Sequence, residues 1–164
     1  MKGANSRNLV VRPAATTDLD MLVRFSAAMA FETEGRRLDQ ERLRRGTLAV
    51  LEFPRHGFYV VAERPEGDGQ GVVGQLLITY EWSDWRNAGF WWIQSVYVDP
   101  DWRRRGVYRA MHQYILEMAR ARTDVCGVRL YVERENGVAQ SVYERLNLRE
   151  TNYRMWEVDF VLEP

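Results

Sequence analysis

Apolar residues recur along this chain with two different periods, and the switches between them mark out the elements. Across Thr17–Glu32, "TDLDMLVRFSAAMAFE", Leu19, Leu22, Val23, Met29 and Ala30 step by threes and fours through Ser26, the spacing of one helix face. Thr17 followed by Asp20 predicts the cap of that helix, and Gly35 interrupts the pattern. Asp39 predicts the cap of a second helix, which stops near Pro54. Ahead of both, Leu9–Arg12 reads as a short strand halted by Pro13.

The period then changes. Gly57–Trp82 holds two β-rich runs around a turn at Pro65–Gly71, and "SDWRNAG", Ser83–Gly89, is a second turn leading into a third strand, Phe90–Val98. These strands predict an antiparallel meander. Helical spacing returns with Val107, Ala110, Met111, Tyr114, Ile115 and Met118, followed by a strand at "GVRLYVER", Gly127–Arg134. Strand, helix and strand of these lengths predict a parallel, right-handed crossover. A last helix carries Val138, Val142 and Leu146, with Asn147 suited to the left-handed position that ends a helix. "YRMWEVDF", Tyr153–Phe160, reads as a closing strand. The expectation is one α+β domain over residues 1–164, built on a mixed central sheet of six or seven strands with four helices.

Composition narrows the chemistry. Lys+Arg and Asp+Glu are 23 each, so net charge offers no argument for nucleic acid or an acidic membrane, and any basic function must be local. One cysteine, Cys126, allows no internal disulfide. With only His56 and His112 as histidines, a metal site is not expected. Charges break every apolar run well before the ~20 residues of a membrane span. The N-terminus "MKGANSRNLVVRP" lacks the apolar core of a signal peptide. A cytoplasmic protein is expected, with a homodimer left open.

The local basic feature is "RRRG", Arg103–Gly106, set between the third strand of the meander and a helix. A helix start directs unpaired N–H groups at one spot, where the helix dipole favours an anion. Gly106 lets backbone approach a ligand closely, while Arg103, Arg104 and Arg105 add planar donors matched to phosphate oxygens. A solvated charge run would look the same without the flanking elements. A nucleic-acid patch would need a second basic stripe, which is missing.

"VYVDPDWRRRGVYRAM", Val96–Met111, resembles the acyl-CoA-binding motif of the GCN5-related N-acetyltransferase (GNAT) family, a strand followed by Q/R-x-x-G-x-G/A opening a helix. Arg103 matches the first position and Gly106 the first glycine; Tyr108 departs from the last, small position. "LYVERENGVAQSVYERLN" resembles a second segment of that family, with Leu130, Val132, Asn136, Ala139 and Tyr143 matching and Asn147 in place of a closing glycine. The resemblance implies acetyl-CoA as cofactor. It places the pantetheine arm along the backbone of Val96, Tyr97 and Val98, and the diphosphate on Arg103–Arg109, a stretch that includes Val107, Tyr108 and Arg109. It further implies that Asn136 contacts the cofactor's arm or caps the helix, and that Tyr143 donates a proton to the leaving thiolate.

The base is not marked by the resemblance, because Gln94 stands where many members carry a glutamate. Glu81 is the candidate, acting directly or through water. Glu32, Glu34, Trp82 and Gln94 are candidates for the acceptor pocket, where acids beside Trp82, Trp85, Trp91 and Trp92 would suit a cationic amine with an apolar body. The function expected is acetyl transfer to a primary amine, with a small molecule favoured over a protein N-terminus or lysine. The alternative is a module that holds CoA as sensor or structural ligand without turnover. An acyl-cysteine route through Cys126 and His112 lacks an orienting third group.

Overall fold

In the computed structural model, which describes residues 9–64 and 71–162, the chain divides into two compact units, one ending at Tyr131 and one beginning at Val132. The first unit runs β1 (Val10–Pro13), α1 (Leu19–Glu34), α2 (Gln40–Glu52), β2 (Phe58–Glu63), β3 (Val72–Ser83), β4 (Ala88–Val98), α3 (Val107–Arg120) and β5 (Val125–Leu130). The strands form one sheet in sequence order, antiparallel from β1 to β4 and parallel between β4 and β5. The predicted meander and crossover are therefore present, with α3 as the connection that a parallel pair requires.

Alternation along the strands gives each face of the sheet its own helix. Val60, Ala62, Leu76, Ile78, Trp91 and Ile93 bury against Val107, Met111 and Ile115 of α3. Tyr59, Val61, Val72 and Tyr97 pack with Leu22 and Phe25 of α1. α3 lies close to the sheet because Gly74 has no side chain: a Cβ there would sit 2.7 Å from Val107 Cγ1 and 3.1 Å from Met111 Cε. That approach seats the first turn of α3 against the middle of the sheet.

The caps follow local chemistry, with one change from expectation. Asp39 Oδ1 accepts from Arg42 N at 2.7 Å, as predicted for α2. Gly35 closes α1 in the left-handed conformation at φ 64°. The entry to α1 is organised by Asp18 rather than Thr17. Arg12 grips both carboxylate oxygens of Asp18, at 2.8 and 3.0 Å, and Ala15 N donates to one of them at 2.8 Å. A carboxylate that can pair with an arginine outcompetes a hydroxyl for that position.

The second unit holds α4 (Gly137–Arg145), capped by Asn136, whose Oδ1 accepts from Ala139 N at 3.0 Å. Asn147 follows at φ 64°, the left-handed ending expected of it. Two expectations are corrected. The sheet has five strands among the described residues, not six or seven, and Tyr153–Phe160 forms no strand. Its side chains alternate as a strand's would, but a strand exists only through a ladder with a neighbour, and here Trp156 and Phe160 are 90% and 91% exposed. The turn expected at Pro65–Gly71 lies outside the described residues except for Gly71, and the reading of residues 1–8 lies outside them entirely.

Candidate active site

The site begins with an irregularity in β4. The β3–β4 register slips between Gln75 and Leu77, placing an extra residue in β4, and Ser95 adopts φ 49° there. The bulge resets the alternation, so that Val96 and Val98 join the α3 face while Tyr97 turns toward α1. The buried side chain of Gln75 pins the bulge, donating to Ser26 Oγ at 2.9 Å and to Ser95 O at 3.4 Å. β5 pairs with β4 only as far as Ile93 opposite Leu130. From Gln94 to Val98, β4 therefore has no strand beside it on the β5 side among the described residues. An extended ligand can add to such an edge by backbone hydrogen bonds.

β4 delivers the chain into the arginine–glycine turn. Pro100–Trp102 forms a single 3-10 turn capped by Asp99, and the chain then passes through two left-handed residues, Arg104 at φ 60° and Gly106 at φ 82°. None of the N–H groups of Arg104, Arg105, Gly106 and Val107 makes a well-formed hydrogen bond to a backbone carbonyl among the described residues. Donors without well-formed partners next to the N-terminus of a fourteen-residue helix are the kind of place where an anion can bind. The left-handed φ of Gly106 favours glycine, since it costs other L-residues about 1–2 kcal/mol.

The three arginines are not equivalent. Arg103 folds back, donating from Nε to Val98 O at 3.0 Å and from Nη2 to Glu32 Oε2 at 2.6 Å. Arg105 lies over the ring of Trp102, 5.1 Å from its centroid, with Arg64 5.8 Å from the same centroid. Arg104, Arg105 and Arg109 form no ion pair among the described residues. Tyr108 sits one turn before the buried His112, with its hydroxyl 3.3 Å from His112 Nδ1. Burial lowers the pKa of His112, which favours a neutral ring.

The predicted carboxylates separate into different roles. Glu32, on α1, accepts from Tyr97 Oη at 2.7 Å as well as from Arg103, and these two partners hold its pKa below the usual carboxylate range. Tyr97 is pushed up to about 12, first by burial and then by the Glu32 carboxylate. Glu34 is exposed at the end of α1, 3.5 Å from Arg36 Nε. Glu81 accepts from Trp92 Nε1 at 2.5 Å and from Arg129 Nη1 at 2.8 Å, and the Arg129 guanidinium lies 3.6 Å from the Phe90 ring centroid. Gln94 donates to Thr79 Oγ1 on the same face.

The expected tryptophan cluster is divided. Trp91 is core, Trp92 binds Glu81 and lies 6.1 Å from Tyr131, and Trp82 and Trp85 are exposed at the β3–β4 hairpin. In the second unit, burial raises the pKa of Tyr143, which keeps its phenol protonated. Asn136 spends its Oδ1 on capping α4, the simpler of its two expected uses. Among the described residues no group of three or more His, Cys, Asp or Glu could hold a metal. No described helix is long and apolar enough to cross a membrane.

Sequence alone did not reveal the bulge at Ser95 or the joining of Glu32, Tyr97 and Arg103. The bulge has no composition signal, and the triad spans 65 and 71 residues of chain.

A possible acetyltransferase from Clostridium difficile 630 is 41% identical, superposes with a TM-score of 0.84, and covers 95% of this chain and 100% of its own. A predicted acetyltransferase with acetyl-CoA from Clostridium acetobutylicum shares the fold at 18% identity and a TM-score of 0.72, over 93% of this chain and 97% of that one. Arabidopsis thaliana NAA60, in complex with a bisubstrate analogue, does so at 19% identity and 0.65, over 86% and 83%. No curated protein sequence matches the chain. The sequence profile of the acetyltransferase (GNAT) family matches residues 21–148, taking in the bulged strand, the arginine–glycine turn and the helix that carries Tyr143. The chain belongs to the GNAT acetyltransferase family, whose members use acetyl-CoA.

Proposed function

We propose that this protein transfers the acetyl group of acetyl-CoA to a primary amine on a small molecule, acting as one N-acetyltransferase domain in the cytoplasm. The observation that supports this most is the direct succession, within one unit, of a free strand edge and an anion cradle. β4 offers an unpaired edge from Gln94 to Val98, and the unpaired N–H groups of Arg104–Val107 follow it. The donor set suits an extended amide-bearing arm that ends in a diphosphate. Val96, Tyr97 and Val98 would hold the arm. Arg103, Arg104, Arg105, Gly106, Val107, Tyr108 and Arg109 would hold the diphosphate.

When bound, the cofactor supplies an acyl thioester, and transfer of its acyl group to a neutral amine forms an amide and a thiol, with one proton passing from nitrogen to sulfur. The chain's own residues must accept the amine's proton and supply one to the departing sulfur. Tyr143, at the family motif's tyrosine position, is the donor in this proposal: burial raises its pKa, so the phenol is protonated and has a proton to give. Glu81 is the acceptor, through a water that bridges to the amine, because Arg129 and Trp92 hold its two oxygens in place. Gln94, beside Thr79, lies on the same face of the sheet as Glu81, where a cationic head would find an anionic partner, while Trp82 alternates to the other face and would meet an acceptor only at the exposed hairpin. Glu34, exposed and near Arg36, fits the rim of such a site better than its floor.

Free-thiol release from acetyl-CoA, followed across a panel of small primary amines and N-terminal or lysine peptides, tests the proposal. Release that depends on a small amine supports it, and release with peptides alone replaces the acceptor. CoA binding without release on any acceptor favours the sensor, whose motivation is the uncharged Gln94 at the strand position where many members carry a glutamate.

A further inference from the structure

Glu32 does something that neither an acceptor pocket nor a base requires. Both of its carboxylate oxygens are occupied within the first unit, one by Tyr97 Oη at 2.7 Å and one by Arg103 Nη2 at 2.6 Å. Arg103 is held at three points: Glu32, the Val98 carbonyl, and the Tyr97 ring, 5.4 Å from the guanidinium carbon. Val98 ends β4 and Arg103 immediately precedes the left-handed Arg104, so this side chain ties the two ends of the Asp99–Trp102 segment together. Glu32 comes from α1, on the other side of that tie.

The pair is a poor candidate for simple stabilisation. The Arg103 and Glu32 side chains are 44% and 40% exposed, and ion pairs that wet contribute little to folding. What the arrangement fixes is direction. A free arginine samples many rotamers, while one held by a carboxylate, a carbonyl and an aromatic face has a single orientation. The bulge at Ser95 is what turns Tyr97 toward α1 and so permits the triad.

We propose that Glu32 is a positioning residue for cofactor binding: through Tyr97 and Arg103 it sets the entry to the diphosphate cradle before the cofactor arrives. This rests on the cradle being the CoA site. Glu32 never touches substrate; it acts through Arg103, and it links the end of α1 to the phosphate turn.

The test is isothermal titration of CoA against the full chain and against Glu32→Gln, Arg103→Gln and the double variant, with steady-state kinetics on acetyl-CoA alongside. Glu32→Gln removes the negative charge and leaves one amide oxygen where two carboxylate oxygens served Tyr97 and Arg103, so Arg103 keeps at most a neutral hydrogen bond. It should weaken CoA by about three- to tenfold, raise KM for acetyl-CoA, and leave kcat and the acceptor's KM in place. In the double variant the Glu32 change should add nothing to the Arg103 loss, since its only route is removed. Unchanged or tighter CoA binding by Glu32→Gln overturns the proposal, as do additive losses. A fall in kcat with KM unchanged also overturns it, by making Glu32 part of the chemistry. Failure of the unaltered chain to bind CoA would instead defeat the functional reading on which this stands.

Discussion

Gly74→Ala is the substitution whose consequence can be worked out most fully. The added Cβ would lie 2.7 Å from Val107 Cγ1, 3.1 Å from Met111 Cε and 3.4 Å from Tyr97 O. Carbon atoms prefer about 3.5–4.0 Å, so the Val107 contact is nearly an ångström too short. Met111 can swing its terminal methyl aside. Val107 cannot, because a β-branched side chain in a helix has essentially one rotamer. Relief must come from lifting the first turn of α3 off the sheet, which is the turn that follows the cradle. Overpacking of this kind costs about 1–3 kcal/mol. For a chain of this size that is a melting-point loss of roughly 2–4 °C per kcal/mol. Thermal and urea unfolding followed by circular dichroism would measure it. Val107→Ala removes the clashing methyl, so the double variant should recover part of the loss, with a coupling of about 1 kcal/mol or more. Gly74→Ala as stable as the unaltered chain, or losses that simply add, would refute the close approach as the reason for glycine at this position.

Two further outcomes are expected. Tyr143→Phe should lower kcat by about a hundredfold or more while leaving CoA affinity unchanged by titration, because only the proton donor is removed. Stability should decline as pH falls below about 6.5, since the unfolded chain protonates His112 there while burial depresses its pKa in the native state. Above that pH both states are neutral and the contribution is flat; His112→Phe should remove this part of the decline in urea midpoints taken between pH 7 and pH 5.

The parts of the fold that were legible before the structure are those set by local physics. The helices follow from three-and-four spacing, Asp39 and Asn147 carry the caps expected of them, and Gly35 closes α1 where it interrupts the pattern, because helix ends are decided within one turn. The strand–turn–helix succession is legible for the same reason: β4, the turn with Gly106 and α3 lie consecutively in the chain. Thr17 lost its capping role to Asp18 because the deciding partner, Arg12, comes from the preceding strand. The pairing of Glu32 with Tyr97 and Arg103 is not legible in the sequence, because nothing near Glu32 in the chain points to either partner. Tyr153–Phe160 was read as a strand from its alternation, yet alternation gives a segment a face and not a neighbour.

CoA titrated in parallel with pantetheine, both against the unaltered protein, tests most directly whether the turn from Arg103 to Val107 is a diphosphate cradle. The two ligands share the arm that would lie along β4 and differ in the part that would meet the N–H groups of Arg104–Val107, which make no well-formed backbone hydrogen bond among the described residues, and the neighbouring arginines. CoA should bind at least about a hundredfold more tightly, with a preference that weakens as salt is raised. Equal affinity for the two ligands, or a preference indifferent to salt, would contradict the assignment of that turn to the phosphates.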